Sequence, residues 1–158
     1  MAFTDPGTPN LADFITFAEG QGVPSADVPT DADAVFQPQW ALSDAQDRVI
    51  GQTSVGSTPL YMRYVLAVYN LALHLWITQG GDLPGQTFFQ SSRAAFNLNS
   101  FLGGVILASG DEGTSNTIMV PEFLKGMTMD DLDLIKTPWG RQYMGYAQMY
   151  GPNAVTLV

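Results

Sequence analysis

Few side chains in this sequence are suited to catalysis or metal binding. His74 is the only histidine and cysteine is absent, so a two-histidine or thiolate metal site within one chain is excluded. Arg63, Asn70 and His74 form a polar stripe at helical spacing in an otherwise apolar stretch. Such a stripe could line a pocket, but a buried histidine is usually hydrogen-bonded to a neighbour in the core. We therefore predict that these three are polar core residues, with no catalytic residue, metal or cofactor.

Two other patterns resemble known sites but lack what those sites need. GGDLPGQT, residues 80–87, has the glycines and threonine of a phosphate-binding loop, but Gln86 stands where a lysine is required. Asp130, Asp131 and Asp133 fall where a helix is expected to begin, and the helix macrodipole favours carboxylates there. We interpret the first pattern as a turn and the second as a helix start.

The charge of the chain argues against nucleic-acid and membrane binding. It has 15 acidic and 6 basic residues, for a net charge of −9, and the basic residues are scattered. Phosphate groups and anionic lipids are bound by clustered cations. Charged residues make up only 13% of the chain, against about 25% in typical proteins. Either uncharged polar residues supply the polarity of this weakly charged surface, or partner proteins cover much of it.

The pattern of apolar residues, caps and turns predicts a mainly α fold. The apolar stretch from about 59 to 78 contains polar residues that disfavour a membrane span, so we expect a long central helix there. A β-hairpin is predicted at about 101–120, around the turn GDEG. Helices are predicted over 11–19, 38–50, 59–79, 87–97, 128–136 and 138–150.

We expect a single domain over residues 1–158, a small helical bundle around the central helix with an inserted β-hairpin and extended terminal arms. Residues 1–36 would form an N-terminal arm and a short helix, with 20–36 as an irregular wrapping segment. Residues 37–151 would form the helical core, and 152–158 a C-terminal tail.

The last predicted helix carries an aromatic stripe. Trp139, Tyr143, Tyr146 and Tyr150 fall at i, i+4, i+7 and i+11, hence on one face. Packing in the core is the simpler interpretation, and an interface is the alternative, because tryptophan and tyrosine are enriched in interface cores. The tail is β-prone and could add a strand to a neighbouring copy. The candidate interface residues are therefore Trp139, Tyr143, Tyr146, Tyr150, Val155, Leu157 and Val158.

Two short motifs connect the chain to a known family. The long apolar helix contains A-x-H-L, from Ala72 through His74 to Leu75, and the last helix begins with T-x-x-G-x-x-Y, from Thr137 through Gly140 to Tyr143, with Gly151 as a stop. With the order of the elements, these motifs resemble the head–tail adaptors of tailed bacteriophages, also called connectors or head-completion proteins. The first fifty residues are longer and richer in proline than that pattern.

The resemblance implies a structural protein and not an enzyme. It implies a homo-oligomeric ring, typically of twelve copies, which docks on the portal protein and carries tail or other neck proteins, while DNA passes through without specific binding. The location would be the neck of the virion, after synthesis in the host cytoplasm. The alternatives are another neck or tail-terminator component, or a small helical ligand-binding protein or enzyme that uses Arg63, Asn70 and His74.

Overall fold

The computed structural model of the chain is mainly helical, as the sequence predicts. It describes residues 8–29, 38–49, 58–99, 105–108, 117–119 and 128–150. The α-helices within these ranges are α1 (Leu11–Gly20), α2 (Pro38–Arg48), α3 (Thr58–Gln79), α4 (Phe88–Ala95), α5 (Met129–Leu134) and α6 (Pro138–Tyr150).

Helix α3 is the centre of the fold. It packs against α1, α2, α4 and α6, and all its residues from 67 to 77 are buried. The apolar side chains surround this helix on nearly every side, so each neighbouring helix covers a different part of it. Trp76 connects α3 to two of these helices. Its ring lies 5.9 Å from that of Phe14 on α1 and 5.3 Å from that of Phe89 on α4, between centroids.

Within the described ranges, no helix is both long and apolar enough to cross a membrane.

Local capping residues begin two of the helices. The Asn10 side chain accepts a hydrogen bond from the backbone N–H of Asp13 at the start of α1. Thr128 and Asp131 form a capping box at the start of α5, in which each side chain bonds the other residue's backbone N–H. These bonds satisfy donors that the first turn of a helix leaves without an intrahelical partner.

The segment after α1 differs from the sequence prediction. Residues 20–36 were expected to wrap loosely, but Val23 is buried in the core and Asp27, which ends the 3₁₀ turn Ser25–Asp27, is also buried. The backbone N–H of Val23 bonds the Ala18 carbonyl, and Gly22 has a φ of 104°, which favours glycine. This turn directs Val23 back into the core. Residues 30–37 lie outside the described ranges.

Two short strands lie between α4 and α5. Strand β1 (Val105–Ala108) pairs antiparallel with β2 (Thr117–Met119), with Val105 opposite Met119. The rest of the predicted hairpin, including the turn GDEG, lies outside the described residues, so the inserted hairpin as a whole stays a prediction. The same holds for the arm before residue 8 and the tail 152–158.

Candidate functional site: a polar cluster and two grooves

The sole histidine lies at the junction of three helices. His74 on α3 is 2% exposed, and its Nδ1 lies 2.8 Å from Oγ1 of Thr137, which is fully buried. The same hydroxyl oxygen accepts the backbone N–H of Gly140 at 3.0 Å. Thr137 therefore caps the N-terminus of α6 and at the same time joins α6 to α3.

The other ring nitrogen of His74 faces α5. Its Nε2 lies 3.5 Å from Oδ2 of Asp133, and Asp133 Oδ1 lies 3.4 Å from the Lys136 ammonium. Burial lowers the pKa of His74, and the nearby Asp133 carboxylate opposes that shift without cancelling it. A neutral imidazole satisfies both neighbours when Nε2–H points to Asp133 and Nδ1 accepts the Thr137 O–H.

This arrangement fastens helices and is poorly suited to nucleophilic catalysis. A hydroxyl, an imidazole and a carboxylate stand in the order of a catalytic triad, but the hydroxyl of Thr137 is fully buried and already accepts a helix N–H. A substrate carbonyl would have to approach that oxygen within van der Waals contact before attack.

The predicted polar stripe does not assemble into one site. Asn70 is buried and its Nδ2 donates to the Leu66 carbonyl of its own helix at 2.8 Å, while His74 turns toward α5 and α6. The prediction that Arg63 is a core residue is wrong, because its side chain is exposed. Burial of a guanidinium is costly, and the long side chain lets the charged end stay in water.

A second polar cluster holds the turn between α3 and α4. The Asp82 carboxylate accepts the backbone N–H groups of Phe89 and Gln90 at 2.7 and 2.9 Å, and so caps α4 from outside the helix. The Arg93 guanidinium donates to the carbonyls of Ile77 and Gly80 at the end of α3 and lies 3.9 Å from Asp82. Asp82 of the GGDLPGQT stretch therefore already binds the helix N–H groups that a phosphate would need.

Sequence reasoning missed this second cluster. Asp82 precedes the N–H groups it binds by seven and eight residues, whereas a local capping motif spans three. The signal available was a pair of opposite charges, Asp82 before the short helix and Arg93 in its last turn.

Helix α6 lies on α3 with a groove on each flank. The α1–α3–α6 groove has a volume of about 640 Å³ and includes Phe17, Asn70 and Tyr146 among its lining residues. The α2–α5–α6 groove has a volume of about 530 Å³ and includes Arg48, Asp131 and Tyr143. The two flanks of one helix thus present chemically different surfaces.

The residues of the aromatic stripe on α6 lie in different surroundings. Trp139 is 9% exposed, its ring packs edge-on against Phe96 at 5.6 Å, and its Nε1 donates to Gln21 Oε1 at 3.2 Å. Its own subunit therefore covers most of it, which favours core packing, and its place in an interface stays a prediction. Tyr143 is half-buried, and burial raises its pKa. The side chain of Tyr150, and Val155, Leu157 and Val158, lie outside what is described.

Asp27 is the one buried side chain in the described ranges with an oxygen that lacks a hydrogen-bond partner. It is 1% exposed, and burial, with the nearby Asp82 carboxylate, raises its pKa. Within the same ranges, no group of three or more histidine, aspartate or glutamate side chains is placed to hold a metal ion.

Comparisons of the chain with family models, curated proteins and solved structures give no match. The resemblance to head–tail adaptors therefore stays a prediction that rests on the sequence motifs.

Proposed function

We propose that this chain is a structural subunit of a bacteriophage neck, a head–tail adaptor that forms a homo-oligomeric ring between portal and tail. The observation that carries the proposal is the pair of unlike grooves on the two flanks of α6. A ring is built from heterologous contacts, in which one surface of each subunit meets a different surface of the next. Two unlike faces on one rigid helix suit such contacts.

The polar residues of the core support a structural role. The side chains of His74 and Thr137 are buried at a helix junction, and those of Asp82 and Arg93 are engaged at helix ends. The alternative of a small enzyme based on Arg63, Asn70 and His74 is disfavoured, because these side chains face three different surroundings.

The charge of the chain supports a DNA conduit over a DNA-binding protein. With a net charge of −9, a ring of these subunits would repel the phosphate backbone and let DNA pass. A partner such as the portal protein would then be held by protein contacts and not through the nucleic acid.

The deciding experiment is electron microscopy of the purified chain mixed with the portal protein of the same phage. The proposal predicts ring-shaped density on one end of the portal, with side-to-side contacts between copies. Binding to tail proteins alone would identify a tail-terminator or another neck component instead. A chain that stays monomeric and binds neither partner would refute the proposal.

A further inference from the structure

We infer that the α1–α3–α6 groove binds the N-terminal segment, residues 1–7, of a second copy of this chain. The inference deepens the proposed function, since it needs copies that touch one another. It names the segment that occupies the groove and the contacts that would bind it.

The charge of the groove is unlike that of the whole chain. The chain has 15 acidic residues, yet the described residues that line the groove include no carboxylate and one guanidinium, that of Arg141. Nη1 of Arg141 donates to the Ile135 carbonyl at 2.8 Å, which leaves the other N–H donors of the fork for a ligand. The groove thus favours a neutral or acidic occupant.

The neutral polar groups of the groove suit an extended backbone. Asn70 uses its Nδ2 within α3, and in the described residues its Oδ1 accepts no hydrogen bond, so this oxygen can accept a peptide N–H. Gln21 uses its Oε1 for Trp139, so its Nε2 can donate to a peptide carbonyl. Between these amides, apolar side chains are open to contact, and Met149 is 69% exposed.

Residues 1–7, MAFTDPG, match this chemistry. Phe3 offers an aromatic anchor and Asp5 a carboxylate for Arg141, while no lysine or arginine occurs before Arg48. Pro6 disfavours a helical conformation at Asp5 and favours an extended one. Seven extended residues reach about 23 Å, which is longer than the roughly 16 Å of α6 between Pro138 and Met149.

The attachment of α1 favours a second copy as the source. The backbone N–H and carbonyl of Asn10 both bond the Tyr69 hydroxyl, at 3.2 and 3.3 Å, so the segment starts from a fixed point at the N-terminal end of α1. Gln21 and Trp139 lie at the other end of that helix. A segment of the same chain that reached Gln21 and Trp139 would have to run back along α1, so we assign the groove to the segment of a neighbouring copy.

Cysteine cross-linking tests the inference, because the chain has no cysteine of its own. Full-length Thr4→Cys and Gln142→Cys chains are mixed and treated with a short bismaleimide, and the products are resolved by denaturing gel and peptide mass mapping. We expect a heterodimer linked between positions 4 and 142. As a matched control, Gln90→Cys, at an exposed position on α4 outside the groove, should give little product.

The charge pairing is tested in the same assay. Asp5→Lys in the Thr4→Cys chain should lower the yield several-fold, because the ammonium would face Arg141, whereas Asp47→Lys on α2 should leave it unchanged. No heterodimer, or a 4–142 link found only within single chains that carry both cysteines, would overturn the inference. Cross-linked copies without portal-bound rings in the microscope would overturn the proposed function alone, and rings without the cross-link would overturn only this inference.

Discussion

The imidazole of His74 and the hydroxyl of Thr137 lie 2.8 Å apart across 63 residues of sequence. The same hydroxyl caps α6 through the Gly140 N–H. One threonine oxygen therefore fixes both where the last helix begins and where it sits on the central helix.

Removal of this hydroxyl should destabilise the fold. Thr137→Val keeps the shape of the side chain but leaves the Gly140 N–H and the His74 ring without their partner, so we expect the free energy of unfolding to fall by about 1–3 kcal/mol. Thr137→Ser retains the hydroxyl and should lose less. Denaturant titration followed by circular dichroism measures both; equal losses would contradict the role given to the hydroxyl.

The stability of the chain should depend on pH through His74. Burial holds the pKa of His74 below the usual 6.5. Just below pH 6.5, the imidazole is therefore protonated in the unfolded chain but still neutral in the folded chain. The free energy of unfolding should therefore fall as pH drops from 6.5 toward the folded pKa. A His74→Gln variant should lose this part of the dependence. Parallel profiles of the two proteins between pH 7 and 5 would refute the argument.

The contribution of Asp27 to the pH dependence of stability should have the opposite sign. Burial raises its pKa above 3.8, so its contribution to stability is present below pH 3.8 and is lost as pH rises through the folded pKa. Asp27→Asn removes the buried charge and should raise the free energy of unfolding at pH 7 by about 1 kcal/mol or more. The gain should vanish near pH 3.8.

The matched control for Asp27 is Asp47→Asn, an exposed position on α2, which should have little effect at either pH. Thermal melts of the three proteins at pH 7 and at pH 4 provide the comparison. A lower melting temperature of Asp27→Asn at pH 7 would refute the argument. It would mean that the Asp27 carboxylate has a partner that stabilises its charge.

Two glycines of α6 should respond to alanine with opposite signs. A Cβ at Gly140 would overlap the Leu134 backbone, whereas at Gly145 it would meet nothing within 4 Å. We expect Gly140→Ala to cost about 2 kcal/mol or more, since the backbone must move. Gly145→Ala should stabilise by up to about 1 kcal/mol through helix propensity. Chemical denaturation resolves the two, and a neutral Gly140→Ala would show that α5 can shift away from α6.

The sequence by itself determined most of the helices. Caps such as Asn10 and the Thr128–Asp131 box act within one turn, and apolar periodicity acts within one helix, so both can be read locally. The same local signals identified α3 as the central helix and placed the start of α6 at Pro138. The scattered cations and the net charge also needed no structure.

Only the tertiary structure decided what the polar and aromatic residues do. Asp82 binds the N-terminus of α4 across a turn, and Thr137 contacts His74 of a different helix. Phe96 and Gln21 cover Trp139. Arg63 is exposed. The spacing of residues along a helix fixes which of them share a face, but the crossing of helices fixes what that face meets. The grooves beside α6 follow from that crossing, because they lie between elements that are far apart in sequence.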